Sequence, residues 1–287
     1  MKINIEHEVK LLETNFLNQI EPYFNPELNH KNDKTFRSGN WIITFPYNYI
    51  QTKNDCSLEL IRKLAVINAI YVFSFFREDD VLDEYHLSKN KYKQLLVEMC
   101  ESRTFRNLAI GQLIHLCGSE IFDYIFEYEK KYYNALIFEK SMKNISLKNM
   151  FNKSNLLYLG YKVLPLYVTF TAYCLMENMK EKITLCEDLI VNYHIAHQLY
   201  DNIWDISEDL KKPDLSYTLK TFKKHLKKNE ITARDIDYLM EQKDVKTKMS
   251  NSARQYLHIS KNYANELHFE YFLLKINDLE MKLKHKL

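Results

Sequence analysis

Glycine and proline are scarce in this chain, whose 287 residues include only 4 Gly and 5 Pro. Both residue types mark turns and interrupt helices, and a protein built of sheets needs many turns. Their scarcity argues against a β-rich fold. It favours an all-α fold of long helices joined by short loops.

An excess of charge of either sign is also missing, because 40 Lys and Arg stand against 38 acids. This balance gives no reason to expect nucleic acid or an anionic membrane surface as the main partner. The five cysteines are odd in number and form no CxxC pair, which predicts thiols in a reducing compartment and hence a cytoplasmic protein. The N-terminal segment carries several acids and no apolar run, so we expect no signal peptide.

Long apolar runs are nearly absent as well. The only membrane-like stretch, residues 157–176, contains Lys162 and Pro165. We interpret it as a buried, broken helix and predict no stable membrane insertion. Helical patterns dominate from residue 57 onward, whereas residues 21–56 form the longest irregular region. No linker-like change of composition occurs, so we predict one α-helical domain over residues 1–287.

Three aspartates follow a strongly apolar helical run. Residues 64–76 read LAVINAIYVFSFF, which is typical of a helix buried on every side. Asp79, Asp80 and Asp83 come next, at positions i, i+1 and i+4, and therefore share one helix face. Mg²⁺ takes oxygen ligands and keeps several waters, so it would relieve the repulsion among these like charges. A solvated acidic helix end is the alternative interpretation.

A second acidic set ends another long, largely apolar helical run, residues 181–200. Asp201, Asp205 and Asp209 are spaced i, i+4 and i+8 and form one stripe over two turns. An amphipathic helix with a wet acidic face is the alternative. The pair of motifs is more informative than either alone. If the two helices face each other, their carboxylates form a cage for several Mg²⁺ ions, and the ions would hold a diphosphate.

The two motifs together resemble those of the class I isoprenoid synthase superfamily, which comprises trans-prenyltransferases, squalene and phytoene synthases and class I terpene cyclases. The first, residues 79–83, is similar to the family's DDxxD. The second, QLYDNIWDISEDL at 198–210, resembles the second motif of all three groups. Each version of the second motif places metal ligands at Asp201 and Asp205, and the cyclase version adds Asp209.

The resemblance covers about residues 57–270 and carries several implications. It implies a bundle of long antiparallel helices around a central cavity. It implies a cofactor of three Mg²⁺ ions and a small-molecule isoprenoid diphosphate as substrate. The resemblance is also compatible with a homodimer, because many members of the family dimerise.

Departures from the family patterns favour a terpene cyclase. Residues 30–50 lack the Gly-Lys-Arg segment of chain-elongating enzymes, and no Arg-Arg pair follows Asp83. We therefore expect a one-substrate cyclase, with a short-chain trans-prenyl or squalene/phytoene-type prenyltransferase as the alternative. Against a cyclase, Asn202 departs from the cyclase motif, and the family's C-terminal Arg-Tyr dipeptide has only a loose substitute in Arg254 and Tyr256.

The resemblance also implies a mechanism, in which metal ions and basic groups draw diphosphate off an allylic carbon and leave a carbocation. Asp80 and Asp205 would be central to this step. The candidate diphosphate-binding residues, each of which could instead be a solvated surface side chain, are Lys162, Lys211, Lys212 and Arg254. The cation needs a dry aromatic wall, because ring faces attract cations. The candidates, for which core packing is the alternative, are Phe73, Phe76, Tyr200 and Trp204.

Two rival functions remain open. Carboxylate and histidine pairs on bundle helices can bind di-iron, and the chain offers two such sets: Asp83 with His86, and His194, His197 and Asp201. A non-catalytic helical scaffold is the other rival, with both acidic clusters as ordinary charged faces. The bulky Phe75 and Phe76 precede the first motif. If the protein instead elongates prenyl chains, the resemblance implies that these two residues would keep the products short.

Overall fold

The computed structural model describes residues 5–23, 45–46, 58–84, 92–141, 146–211, 217–228 and 230–285. Within these ranges the chain is helical and contains no strand, as the composition predicted. Twelve α-helices occur there: α1 (Ile5–Ile20), α2 (Leu58–Glu84), α3 (Tyr92–Cys117), α4 (Ile121–Ser141), α5 (Lys153–Tyr161), α6 (Val168–Met176), α7 (Glu181–Trp204), α8 (Ile206–Asp209), α9 (Tyr217–Leu226), α10 (Ala233–Asp237), α11 (Val245–Glu266) and α12 (Glu270–His285). Most of the region 21–56, for which the sequence predicted irregular structure, lies outside the described residues.

The chain divides into two compact units. The first comprises Met1–Phe126 and Pro165–Ile183, and the second comprises Glu127–Leu164 and Thr184–Leu287. The first motif belongs to the first unit and the second motif to the second. One domain over residues 1–287 stays a prediction.

Helix α2 forms the core of the first unit, where it packs against α1, α3 and α6. Every residue from Leu64 to Phe75 is buried, which confirms the prediction of a helix surrounded by protein. The buried polar side chain of Asn68 is satisfied, because Thr169 Oγ1 donates to its Oδ1 at 3.1 Å. The long helix therefore ends at the first acidic motif with its preceding turns held firmly in place.

In the second unit, helix α7 is held by close contacts on two sides. Ser260 Oγ of α11 donates to the Leu189 carbonyl oxygen at 3.0 Å. Gly160 of α5 lies so near that a Cβ atom there would be 2.6 Å from Val191 Cγ1 and 2.9 Å from Ile195 Cγ1. These contacts fix the part of α7 that precedes the second motif.

The stretch 157–176 is a broken, buried helix, as predicted. Helix α5 ends at Tyr161, a 3₁₀ turn spans Leu164–Tyr167, and α6 resumes at Val168. Pro165 lies in this turn and lacks the N–H that a continuous helix would require. None of the helices in the described ranges combines the length and the apolar character needed to span a bilayer.

From residue 57 onward the sequence pattern predicted helical runs that include 90–101, 104–145 with one break, 181–210 and 246–284, and the observed boundaries differ from these in several places. Helix α7 ends at Trp204, and α11 ends at Glu266 before α12 begins at Glu270. The pattern indicated an interruption between residues 101 and 104, yet α3 continues through this point. The chain breaks instead at Gly118, whose φ of +85° suits glycine after a helix end. The interruption expected within 104–145 is thus confirmed at this position.

Candidate functional site

The second acidic motif lines a cavity of about 190 Å³ in the second unit. The lining residues are Glu139, Leu159, Gln198, Asp201, Asn202, Asp205, Asp209 and Tyr217. All three aspartates of the predicted stripe thus meet one cavity, as their spacing indicated. Their role as metal ligands stays a prediction.

The helix that carries these aspartates is interrupted at Asp205. Helix α7 ends at Trp204, and Asp205 has φ −93° and ψ 2° before α8 begins. The helical hydrogen bonds continue through the interruption, because Asp205 N–H donates to the Asp201 carbonyl and Asp209 N–H to that of Asp205, both at 2.8 Å. The turn therefore shifts the direction of the chain while Asp201, Asp205 and Asp209 stay on one side.

A histidine orients the first carboxylate of this motif. His197 Nδ1 lies 2.8 Å from Asp201 Oδ2, one helical turn away. Both side chains are partly exposed, at 44% and 34% of their surface. The contact limits the rotamers that Asp201 can adopt at the cavity wall.

Two ammonium groups approach the cavity from other helices. Lys162 Nζ lies 2.7 Å from Glu139 Oε2, and Lys220 Nζ donates to the Glu139 carbonyl oxygen at 3.3 Å. Lys162 follows the last residue of α5, in the predicted helix break. Among the basic residues that the sequence singled out, Lys162 pairs with a residue that lines the acidic cavity.

The remaining basic candidates are exposed or lie outside the described residues. Lys211 is exposed, and Lys212 lies outside the described residues. Arg254 is exposed on α11, where its Nη2 donates to the Leu283 carbonyl oxygen at 3.4 Å. This contact with α12 does not support a diphosphate-binding role for Arg254, which stays a prediction.

Buried groups beside the cavity favour their neutral forms. Burial, together with the nearby His197 and Lys162, lowers the pKa of His194 from 6.5 to about 3. Burial raises the pKa of Tyr217, whose hydroxyl donates to the Met150 carbonyl oxygen at 2.8 Å. His194 and Tyr217 therefore add no charge of their own near neutral pH.

Three lining residues, Glu139, Leu159 and Tyr217, were missed from the sequence. Glu139 is an ordinary acid in the amphipathic helix α4, and Leu159 and Tyr217 look like core residues. No local spacing connects any of them with Asp201. The only usable signal was Lys162, because a lysine in a buried helix break needs an acidic partner.

The first acidic motif ends α2 in the first unit. Asp79 is half-buried and Asp80 is exposed. Asp83 lies in the last turn of α2, and its side chain lies outside the described residues. Metal binding by Asp79, Asp80 and Asp83 stays a prediction.

Ion pairs with α3 hold the residues just before this motif. Arg77 Nη2 lies 3.3 Å from Glu101 Oε2 and 3.7 Å from Glu98 Oε1. Glu78 pairs with Arg106, whose guanidinium carbon also lies 4.0 Å from the centre of the Phe75 ring. These pairs fix the end of α2 from which the aspartates project.

None of the four residues predicted to form an aromatic wall lines the 190 Å³ cavity. Phe73 packs in the core of the first unit between Phe16 and Phe105, with ring centres at 5.5 and 5.7 Å. These contacts agree with core packing, which was the alternative interpretation of Phe73. Phe76 is half-buried. In the second unit the Tyr200 and Trp204 rings lie 6.0 Å apart. Substrate contact by these four residues stays a prediction.

The donor set of the cavity suits a hard cation. Across the described ranges, no three His, Cys, Asp or Glu side chains are gathered closely enough to hold a metal. The described part of the chain thus gives the di-iron rival no support, and His86 lies outside it. Mg²⁺ needs only one or two carboxylates because it keeps several waters. The carboxylates and amides of Asp201, Asp205, Asp209, Gln198 and Asn202 fit that requirement.

Comparison with protein-family models and with curated proteins finds no match. Solved structures do match over nearly the full chain. A geranylgeranyl pyrophosphate synthetase from the archaeon Geoglobus acetivorans aligns with a TM-score of 0.70 and 13% identity, covering 96% of each chain. A geranylgeranyl pyrophosphate synthase from Lactobacillus brevis ATCC 367 aligns with a TM-score of 0.67 and 14% identity, covering 97% of this chain and 96% of that one. A heptaprenyl diphosphate synthase from Staphylococcus aureus aligns with a TM-score of 0.64 and 13% identity, covering 97% of this chain and 98% of that one.

Proposed function

We propose that this chain, which has the fold of the class I isoprenoid synthases, is a Mg²⁺-dependent prenyltransferase. It would ionise an allylic isoprenoid diphosphate and join the resulting carbocation to a second isoprenoid diphosphate. The observation that carries the proposal is the cavity lined by Asp201, Asp205 and Asp209 in a chain of this fold. The identities of 13 and 14% establish only the fold, so the activity is inferred from the site.

The choice of prenyl transfer departs from the cyclase that the sequence favoured. All three similar structures described above are named as prenyl diphosphate synthases, and this supports the prenyltransferase alternative better. The cyclase stays the second candidate because one observation favours it. Neither the Gly-Lys-Arg segment nor the Arg-Arg pair of chain-elongating enzymes occurs in residues 30–50 or after Asp83.

In the proposed reaction the bond between the allylic carbon and the diphosphate oxygen breaks, and the diphosphate leaves with the electron pair. Bound Mg²⁺ would neutralise the charge that develops on this leaving group. The residues proposed to hold it beside the cavity are Asp201, Asp205 and Asp209, and metal binding by Asp79, Asp80 and Asp83 is a separate prediction for the first unit. His197 keeps the Asp201 carboxylate in place, and Lys162 supplies a positive charge beside the cavity.

The double bond of the second substrate then attacks the cation, and loss of a proton completes the longer product. In the cyclase alternative, a double bond of the same substrate attacks instead. Cytoplasmic location and homodimer formation accompany both versions as predictions. Neither follows from the geometry of the cavity.

The deciding experiment supplies geranyl, farnesyl and geranylgeranyl diphosphates with Mg²⁺, each with and without isopentenyl diphosphate. We expect longer prenyl diphosphates that appear only when isopentenyl diphosphate is present. A hydrocarbon or alcohol formed from one substrate alone would establish the cyclase instead. Absence of diphosphate release from every substrate would overturn both.

A matched pair of variants connects the activity with the cavity. Asp201→Asn keeps the shape of the side chain but removes a proposed ligand charge, and we expect turnover to fall by about 100-fold or more. Asp237→Asn makes the same chemical change at an exposed position of α10 and should leave turnover unchanged. Equal turnover in the two variants would place the reaction elsewhere.

A further inference from the structure

Glu139 belongs to neither acidic motif, yet it lines the same cavity as Asp201, Asp205 and Asp209. Its carboxylate engages Lys162, one of the predicted diphosphate binders, whose Nζ lies 2.7 Å from Glu139 Oε2. The two side chains are only 23% and 26% exposed, so water screens their attraction less than in a surface pair. A carboxylate of the cavity wall thus already pairs with the ammonium group of Lys162.

We propose that Glu139 is a positioning residue, which holds Lys162 until the diphosphate of the substrate displaces its carboxylate. This inference rests on the function proposed above and specifies how the same site engages the diphosphate group. A diphosphate offers more negative charge and more acceptor oxygens than one carboxylate, so it can win the ammonium group. A group with less charge, such as a monophosphate, competes poorly with Glu139.

The surroundings of Lys162 suit such an exchange. Its side chain is a flexible stem with a compact charge, which can swing between two acceptors. Its backbone is fixed, because Gly160 two residues earlier packs against Val191 and Ile195. The C-terminal end of α5 favours a nearby positive charge, and the neighbouring His194 is neutral near pH 7.

Lys220 limits how far Glu139 itself can move. Its ammonium group donates to the Glu139 carbonyl oxygen, and α9 thereby anchors the backbone of α4 at this point. The exchange then involves only the two side chains. No rearrangement of helices is required.

The test measures binding of inorganic pyrophosphate and inorganic phosphate, each with Mg²⁺, by calorimetry. Glu139→Gln removes the competitor, and we expect pyrophosphate to bind about three- to fivefold tighter, the range expected for a partly screened ion pair. Phosphate, which draws less on Lys162, should gain less than pyrophosphate, so the preference for pyrophosphate should grow. A purely structural role for Glu139 would not change this ratio.

Two further variants isolate the pair. Lys162→Gln should weaken pyrophosphate binding about fivefold, and the gain from Glu139→Gln should be smaller in this background, because the two residues act through each other. Glu187→Gln is the matched control, since Glu187 pairs with Lys131 between α4 and α7 but does not line this cavity. It should bind both anions as the unaltered protein does.

Turnover assays complete the test. Glu139→Gln should lower KM for the prenyl diphosphate without raising kcat, because the change strengthens binding of the ground state. Unchanged or weaker pyrophosphate binding in Glu139→Gln, with the unaltered protein binding and turning over normally, overturns this inference alone. If the unaltered protein neither binds pyrophosphate with Mg²⁺ nor releases diphosphate from any substrate, the proposed function fails, and this inference fails with it.

Discussion

At the residue scale, two histidines on α7 have different environments although they are three positions apart. His197 is partly exposed and contacts Asp201. His194 lies beside Lys162 and His197, and its burial disfavours the charged form. One histidine thus orients a carboxylate, while the other stays neutral next to an ammonium group.

The neutral state of His194 predicts that the protein loses stability in mild acid. Its pKa is about 3 when folded and near 6.5 when unfolded, so the unfolded state binds more protons between these values. Stability contributed by this group is present above pH 6.5 and is lost as pH falls toward 3, by at most about 1.4 kcal/mol per pH unit. Urea unfolding at pH 7, 5.5 and 4.5 measures the loss.

The variant His194→Asn should flatten this dependence, because asparagine does not titrate in the same range. His258→Asn, at an exposed position of α11, should keep the slope of the unaltered protein. Equal slopes in all three proteins would contradict the prediction.

At the element scale, the close approach of α5 and α7 at Gly160 decides where Lys162 lies. Because this glycine has no side chain, the two helices come close together, and Lys162 follows two residues later, where its side chain reaches Glu139 in the cavity wall. A Cβ at this position would also lie 2.9 Å from the Val191 carbonyl oxygen, which is backbone and cannot move aside easily. The helix pair therefore depends on a residue at which any side chain is too large.

We expect Gly160→Ala to destabilise the protein by about 1–3 kcal/mol, the usual cost of overpacking a core. Gly111→Ala is the matched control, because this helical glycine of α3 has open space at the Cβ position. It should stabilise by roughly 0.5–1 kcal/mol through helix propensity. Urea midpoints compared at constant m-value measure both changes. A stabilising Gly160→Ala would show that α5 and α7 are farther apart.

At the scale of the whole molecule, a fold shared at 13% identity shows how little of it depends on particular core residues. Many different apolar side chains can fill a helical core of similar volume. The proposed Mg²⁺ site would require particular chemical groups, because carboxylates have no apolar substitute as Mg²⁺ ligands.

Ligand binding should therefore stabilise the whole protein only when metal and diphosphate are present together. Ligand at about 100 times its Kd adds roughly 2.7 kcal/mol, so Mg²⁺ with inorganic pyrophosphate should raise Tm by several degrees. Differential scanning fluorimetry would measure the shift. Pyrophosphate with EDTA, and Mg²⁺ alone, should produce little change. A full shift with pyrophosphate and EDTA would exclude the proposed role of the metal.

Short-range patterns determined much of this protein. The scarcity of Gly and Pro predicted an all-α chain, and the apolar run 64–76 predicted the buried part of α2. The spacing of Asp201, Asp205 and Asp209 predicted a shared face, which the cavity confirms. These inferences succeeded because helical periodicity depends on residues within a few positions of one another.

Only the tertiary structure decided which residues from other helices join the aspartates. Lys162 and Glu139 are 23 positions apart, and Lys220 and Glu139 are 81 apart, so no helical period connects them. The missing basic segments favoured a cyclase, whereas the similar solved structures are named as prenyl diphosphate synthases. Contacts between distant residues depend on how whole helices pack, and that depends on side-chain volumes summed over the core, which a local pattern does not contain.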